Sequence, residues 1–253
     1  MSEQINSART PNHNEKEAYK IFKTLKNLKD HYNFVTDKSG VNMVELLAPR
    51  MELDPREPLL YFNGRKTPEK YCEAELQWYQ SQDLSVEFIG QKAKIWRDIS
   101  SAHNEVNSNY GWCIFSKENY KQFDNCFKEL CNNPESRRAC MIYTRPSMQY
   151  DYHRDGMDDF ICTNTVQCMI RNNELKYIVH MRSNDAIFGF FNDFYWHCYV
   201  YNLLFEKLKW NGFPNLQKTE KSIIWLANSF HIYERHFNML DDICDERIAW
   251  LYE

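Results

Sequence analysis

Asp159-Phe160-Ile161-Cys162-Thr163-Asn164-Thr165, followed by Met181-Arg182-Ser183-Asn184-Asp185, decides how this chain reads. Between the two, Thr163 to Ile170 and Leu175 to Met181 alternate apolar and polar residues around Asn172-Asn173, the pattern of a β-hairpin. The hairpin puts one cysteine at the start of a strand and an Arg-Ser-x-Asp cluster at the end of the next. A cysteine is a nucleophile only as thiolate, and a neighbouring guanidinium is one of the few groups that lowers its pKa. The spacing therefore predicts a site built on Cys162 and Arg182. Further on, Asp193 to Trp210 is aromatic and apolar on most sides and reads as a buried helix opened by the aspartate.

Outward from this centre the chain reads as one α+β domain, residues 14–253, behind a loose tail at 1–13. Ala18, Ile21, Phe22, Leu25 and Leu28 fall at helical spacing over Glu15 to Lys29. Short strands flank a turn at Asp37-Lys38-Ser39-Gly40. Thr67-Pro68 supplies a hydroxyl cap and a first-turn proline for a helix that runs to about Gln80 and carries Glu75. Ser116 opens another helix, stopped by Pro134. A strand at Ala139 to Thr144 leads into a polar loop, Arg145 to Asp159. Ser222 to Leu226 reads as a strand, with His231 to His236 just beyond it.

Composition bounds the function. The 253 residues suffice for a sizeable core, and 26% charged with 43% hydrophobic residues is ordinary for a globular protein. Seven glycines, and no G-x-G-x-x-G or Walker segment, argue against a glycine-rich nucleotide loop. A net charge of −4 does not suggest a duplex-binding surface, so no direct DNA binding is expected. No run approaches a membrane span, and the polar N-terminus lacks a signal-peptide core. Nine cysteines without paired spacing read as reduced thiols in a cytoplasm. No C-x-x-C is present and His231-x4-His236 lacks helical ligand spacing, so no metal is expected.

Asn109-Tyr110-Gly111-Trp112, Ser136-Arg137-Arg138, Cys162, Arg182-Ser183-x-Asp185 and His231-x-Tyr233 occur in an order and approximate spacing that resemble the thymidylate synthase family. Asn107 to Trp112, Met141 to Gln149 and Asp159 to Gln167 look most like its T-even phage branch, which hydroxymethylates deoxycytidylate. The resemblance covers roughly residues 30 to 240. It implies the family's fold, a mixed β-sheet flanked by helices and dimerising through the sheet. It also implies thiolate attack by Cys162 on carbon 6 of a pyrimidine nucleotide. Carbon 5 then captures the one-carbon unit of 5,10-methylenetetrahydrofolate, and water completes a hydroxymethyl group.

The same resemblance assigns roles. Arg182, Ser183, Arg137, Arg138 and Lys38 match the phosphate set; the Arg137-Arg138 pair reaches the neighbouring subunit's site, which implies a homodimer with shared active sites. Lys38 stands where synthases usually have arginine. Glu75, read from the sequence alone as one more solvated helix carboxylate, becomes the general acid/base. His231 and Tyr233 hold the ribose hydroxyl, while Tyr110 lines the site and Asn164 belongs to the substrate-binding group. Asp185 matches the residue that contacts the folate pterin. Trp96 either stacks near the folate or packs in the core.

Two departures from the synthases set the substrate. Thr163 follows the cysteine where synthases have histidine. Asp193 replaces an asparagine whose amide matches the O4 acceptor and N3–H donor of uracil; cytosine presents the reverse pattern, which a carboxyl group suits. Asp193 is also placed to favour a helix dipole. The reading is a deoxycytidylate 5-hydroxymethyltransferase chemistry with dCMP and the folate as substrates and no metal. The alternatives are dUMP methylation or hydroxymethylation, CMP hydroxymethylation, and a silent nucleotide- or RNA-binding relative.

Overall fold

The computed structural model describes residues 9–245 and 249–252. Residues 1–8 of the expected tail lie outside these. The first helix, α1 (His13–Asp30), starts at Asn12, whose side chain accepts from Glu15 N while the Glu15 carboxylate reaches back to Asn12 N. Its apolar face buries Ala18, Tyr19, Phe22 and Leu25. The turn at Asp37–Gly40 joins β1 (Val35–Thr36) to β2 (Asn42–Leu47); Asp37 Oδ1 accepts from Ser39 N and Val41 N, and Gly40 takes φ +82°. Next come β3 (Arg50–Leu53) and a small hairpin, β4 (Tyr61–Phe62) with β5 (Arg65–Lys66).

Two helix starts differ from expectation. Helix α2 (Glu69–Ser81) follows Pro68, but the Thr67 hydroxyl does not cap it; it accepts instead from Leu60 N at 2.9 Å, tying the preceding hairpin down. After α3 (Ile95–Ile99), Ser116 closes the short α4 (Tyr110–Phe115) rather than opening a helix. Tyr120 and Lys121 take positive φ, which no right-handed helix tolerates, so α5 begins only at Gln122 and runs to Asn132.

Strand β6 (Cys140–Ile142) precedes a loop that holds α6 (Met148–Asp151). The hairpin is as expected: β7 (Thr163–Arg171) and β8 (Glu174–Met181) turn at Asn172 and Asn173, both at positive φ. The two-residue β9 (Asn184–Asp185) leads into α7 (Gly189–Trp210), which is buried along most of its length by Phe190, Phe191, Phe194, Trp196, Tyr201 and Leu204. The helix starts four residues before Asp193, so the carboxylate sits in the second turn and does not open it.

The last segment corrects another expectation. His231 does not trail the strand β10 (Ile223–Ala227). It lies on a separate strand, β11 (Ser229–Tyr233), before α8 (Phe237–Ile243). A mixed sheet of order β3-β10-β8-β7-β6 pairs β10 parallel to β8 and antiparallel to β3, and a second sheet runs β1-β2-β11-β9. At Asn228 the chain passes from one sheet to the other, its N–H donating to Met181 O and its carbonyl accepting from Ala48 N. The ends of β8, β9, β10 and β11 thus meet at one seam, with α7 behind it. A register shift between Thr163 and Thr165 bulges β7 there, and Arg182 N donates to Cys162 O at 2.8 Å.

Candidate active site

The seam opens into two adjoining cavities. The inner one, of about 290 Å³, is lined by Glu75, Trp96, Tyr110, Cys162, Phe188 and Asp193 among others. The outer one, of about 800 Å³, is lined by Lys38, Arg182, Ser183, Asp185, His231 and Tyr233, and again by Cys162. Cys162 lines both, together with Ile95, Ile99, Asp159 and Phe160.

Cys162 Sγ lies 3.6 Å from Arg182 Nη2, the proximity that the hairpin predicts. The electrostatic expectation fails, however. Burial dominates the Arg182 charge, and Asp193, Asp159 and Asp185 add to it, so the thiol is pushed up to about 12. Arg182 spends much of its donor capacity on the backbone, giving Nε to Ile161 O at 2.8 Å and Nη2 to Phe160 O, with the guanidinium 4.6 Å over the Phe160 ring. It straps the Cys162 segment in place as much as it charges the site. Asp159 secures the same segment, accepting from Asn107 N, Ser108 N and the Ser108 hydroxyl at 2.6, 2.8 and 2.6 Å.

Glu75 is a buried acid at the wall of the inner cavity. Desolvation raises its pKa to about 7, against a smaller lowering by Tyr71, whose hydroxyl donates to Oε1 at 2.7 Å. Trp96 Nε1 donates in turn to the Tyr71 hydroxyl at 2.8 Å, and its ring packs 4.9 Å from Trp78. Trp96 thus lines the cavity and packs against the core. Tyr71 escaped the sequence reading, although its i, i+4 spacing to Glu75 on one helix is a usable signal.

Asp193 forms the floor. Its carboxyl is raised well above the usual range by burial and then by Glu75, while Tyr110 and Asn184 hydrogen-bond it in the opposing sense. Asn184, the unassigned letter of the Arg-Ser-x-Asp motif, donates from Nδ2 to Asp193 Oδ2 at 2.9 Å. Thr163 turns inward: its hydroxyl lies 3.4 Å from His197 Nε2, and His197 Nδ1 is 3.2 Å from the Tyr177 hydroxyl. Burial lowers the His197 pKa to about 3, so this imidazole is neutral.

The outer cavity gathers the remaining candidates. His231 is depressed by burial, pairs in register with Asp185 on β9, and meets the Tyr233 ring edge-on at 5.0 Å. Asp185 Oδ1 accepts from Ile187 N and Phe188 N at 2.8 and 3.0 Å, which fixes that carboxylate at the cavity edge. Lys38 reaches across to Asp158 at 3.1 Å. Three predicted residues lie elsewhere. Asn164 lines neither cavity and sits at the β7 bulge, its carbonyl accepting from Tyr143 N. Arg137 and Arg138 line a separate recess with residues 132–136, and Arg138 pairs with Glu129 at 3.1 Å.

The family described as thymidylate synthase matches residues 20–248, and the protein belongs to that family. It is similar to the deoxycytidylate 5-hydroxymethyltransferases of Enterobacteria phage T6 and Enterobacteria phage T4, each 48% identical over 210 residues that cover 83% of both chains. A thymidylate synthase of Francisella tularensis subsp. holarctica is 22% identical over 230 residues, 86% of this chain and 81% of that one.

Proposed function

We propose that the protein transfers a one-carbon unit from 5,10-methylenetetrahydrofolate to C5 of dCMP and adds water, giving 5-hydroxymethyl-dCMP and tetrahydrofolate. The observation that carries this reading is a carboxyl group, Asp193, on the floor beneath Cys162 and beside Glu75, where a uracil-reading site needs an amide. The similarity to two phage enzymes of that name supports it.

Cys162 adds to C6 and converts C5 into an enamine-like nucleophile. Asp193 accepts from the 4-amino group and shares a proton with N3, so electron density can flow from the new C6–S bond into the ring. Because burial holds the free thiol neutral, attack and loss of its proton belong to one step, in which sulfur bonds to C6 and the proton ends formally on N3. Glu75, near neutrality in its proton affinity, removes the C5 proton and later orients the water that adds to the exocyclic methylene. Lys38, Arg182 and Ser183 bind the phosphate, and His231 and Tyr233 the ribose hydroxyl.

The folate supplies a one-carbon unit at the methylene oxidation level. The residues fit such a group: Ile95, Trp96 and Phe188 would give apolar faces to a flat heteroaromatic ring, and Asp185, in the adjoining cavity, would offer a carboxylate to its polar groups. Arg137 and Arg138, remote from this pocket, serve the partner's phosphate site in a homodimer formed through the sheet. The exposed Ile142 on the edge strand β6 supports that face as the contact. All nine cysteines are free, in keeping with a reducing cytoplasm, and no helix among the described residues is long and apolar enough to cross a membrane.

Incubation with methylenetetrahydrofolate and dCMP, dUMP or CMP, followed by mass analysis, tests the reading. It expects dCMP to gain one CH₂O unit. A methyl gain on dUMP as the main product would replace it with a synthase activity.

A further inference from the structure

We propose that Asn184, held by Trp225, fixes which oxygen of Asp193 carries a proton, and that this choice tells cytosine from uracil. The inference rests on the function proposed above and goes one step further, to how the Asp193 carboxyl discriminates once it is neutral. A neutral carboxyl offers one donor and one acceptor, the same inventory as an amide. Over cytosine, the acceptor oxygen has to meet the 4-amino group and the O–H has to meet N3. Over uracil, the O–H meets O4 and the acceptor meets N3–H. The two arrangements differ only in which oxygen holds the proton.

The structure breaks that symmetry. Trp225 Nε1 donates to Asn184 Oδ1 at 3.2 Å, and Asn184 Nδ2 donates to Asp193 Oδ2 at 2.9 Å. An indole N–H can only donate, so the Asn184 amide cannot turn over without setting donor against donor. Both supports are fully enclosed, Asn184 at 1% and Trp225 at 0% exposure. Oδ2 is thereby kept as an acceptor, with capacity for a second bond from a 4-amino group, and any proton resides on Oδ1. Gly189 leaves room for this contact: a Cβ there would lie 3.3 Å from Asn184 Nδ2 and 3.5 Å from Asp193 Oδ2. Around the carboxyl stand Glu75 and Tyr79 from α2, Tyr110 from α4, Cys162 before β7 and Asp185 on β9. Burial, and after it the neighbouring acids, favours its neutral form, so the proton's location is what remains to be set.

The experiment is the ratio of kcat/KM for dCMP to that for dUMP, measured from mildly acidic to mildly alkaline pH. Asn184→Leu removes the donor, and Trp225→Phe keeps a ring in the core while freeing the amide to turn. Wild type is expected to hold a constant ratio. In both variants the ratio should fall by roughly tenfold or more, most at acidic pH, where a protonated Asp193 can place its proton on either oxygen. Tyr201→Phe removes a buried α7 hydroxyl that bonds Leu175 O instead, and should leave the ratio unchanged. Loss of activity toward both nucleotides in step, with the wild-type ratio intact at every pH in Asn184→Leu and Trp225→Phe, overturns the proposal and leaves both residues as packing. A wild type that does not prefer dCMP sinks the functional reading itself and this inference with it.

Discussion

The guanidinium of Arg182 lies 3.6 Å from the sulfur of Cys162, yet that thiol sits at about 12. Proximity of a positive charge is outweighed because the sulfur is desolvated and three carboxylates share the site. The thiolate is therefore scarce at neutral pH in the free protein. Alkylation of Cys162 by iodoacetamide, followed by peptide mass analysis, should be slow at neutral pH. It should accelerate about tenfold per pH unit well into the alkaline range, as for a thiol far below its pKa. A plateau near neutrality would show an ionised nucleophile. Cys162→Ala should abolish turnover and still bind dCMP.

Glu75 offers two separable readouts. As a buried acid with a pKa near 7, it is a carboxylate only above that pH, so kcat should decline below it. Glu75→Gln should be slow throughout and lose that inflection. The sign for stability is opposite. A folded pKa above the unfolded value means that Glu75's contribution is fully present below about pH 4 and is lost as pH rises through about 7. Glu75→Gln should therefore melt at a higher temperature than wild type in mild alkali, by the equivalent of up to about 3 kcal/mol, with little gain in acid. An equal gain at both pH values would remove the buried-acid assignment.

Asp193→Asn should weaken dCMP use, since an amide cannot share a proton with N3, and should raise relative use of dUMP most when Asn184→Leu also frees that amide to turn its N–H toward O4. The comparison is kcat/KM for both nucleotides in both proteins. An unchanged ratio would place selectivity outside this side chain.

Gly111 tests how Glu75 is carried. An added Cβ would lie 1.7 Å from the carbonyl oxygen of Tyr79, so α2 and α4 touch backbone to backbone. Gly111→Ala should cost about 3 kcal/mol in urea unfolding, the upper end of overpacking, because neither helix can yield. It should also depress kcat in whatever fraction folds, because Glu75 rides on α2. Wild-type stability would mean that the helices slide apart freely.

Arg137 and Arg138 face a recess apart from Cys162, and mixing lesions tests whether they serve a partner. Arg138→Ala and Cys162→Ala homodimers should be weak and dead, respectively. Equal mixing and reassembly should restore up to roughly one quarter of wild-type activity, since each hybrid of a two-fold dimer contains one site free of both lesions. Activity no higher than the average of the parents, with subunit exchange verified, would show that each chain completes its own pocket.

The sequence carried much of this architecture because its signals are local. The α1 periodicity, the Asn172-Asn173 turn and the apolar run of α7 each announce themselves within a few residues. What stayed hidden depends on partners distant in the chain. Thr67 looks like a cap until Leu60 N claims its hydroxyl. Tyr120 and Lys121 delay α5 through backbone angles that nothing in their side chains advertises. His231 looked like a strand's trailing end because Asn228, an unremarkable loop letter, hands the chain to a second sheet. Within the site, motif spelling located Cys162, Arg182, Asp185 and Asp193. The supports Tyr71, Asn184 and Asp159 needed three-dimensional geometry, since each acts by holding a neighbour.

Thr163 and His197 have a consequence for observing the protein in motion. The imidazole contacts Thr163, the residue that follows Cys162, and is neutral, enclosed at 0% exposure and bonded at both nitrogens. Its single N–H can trade with deuterium only when α7 lifts from the hairpin, so it works as a clock for breathing of the catalytic floor. Read by NMR after transfer to heavy water, that one proton resonance would time how often the wall behind Cys162 opens.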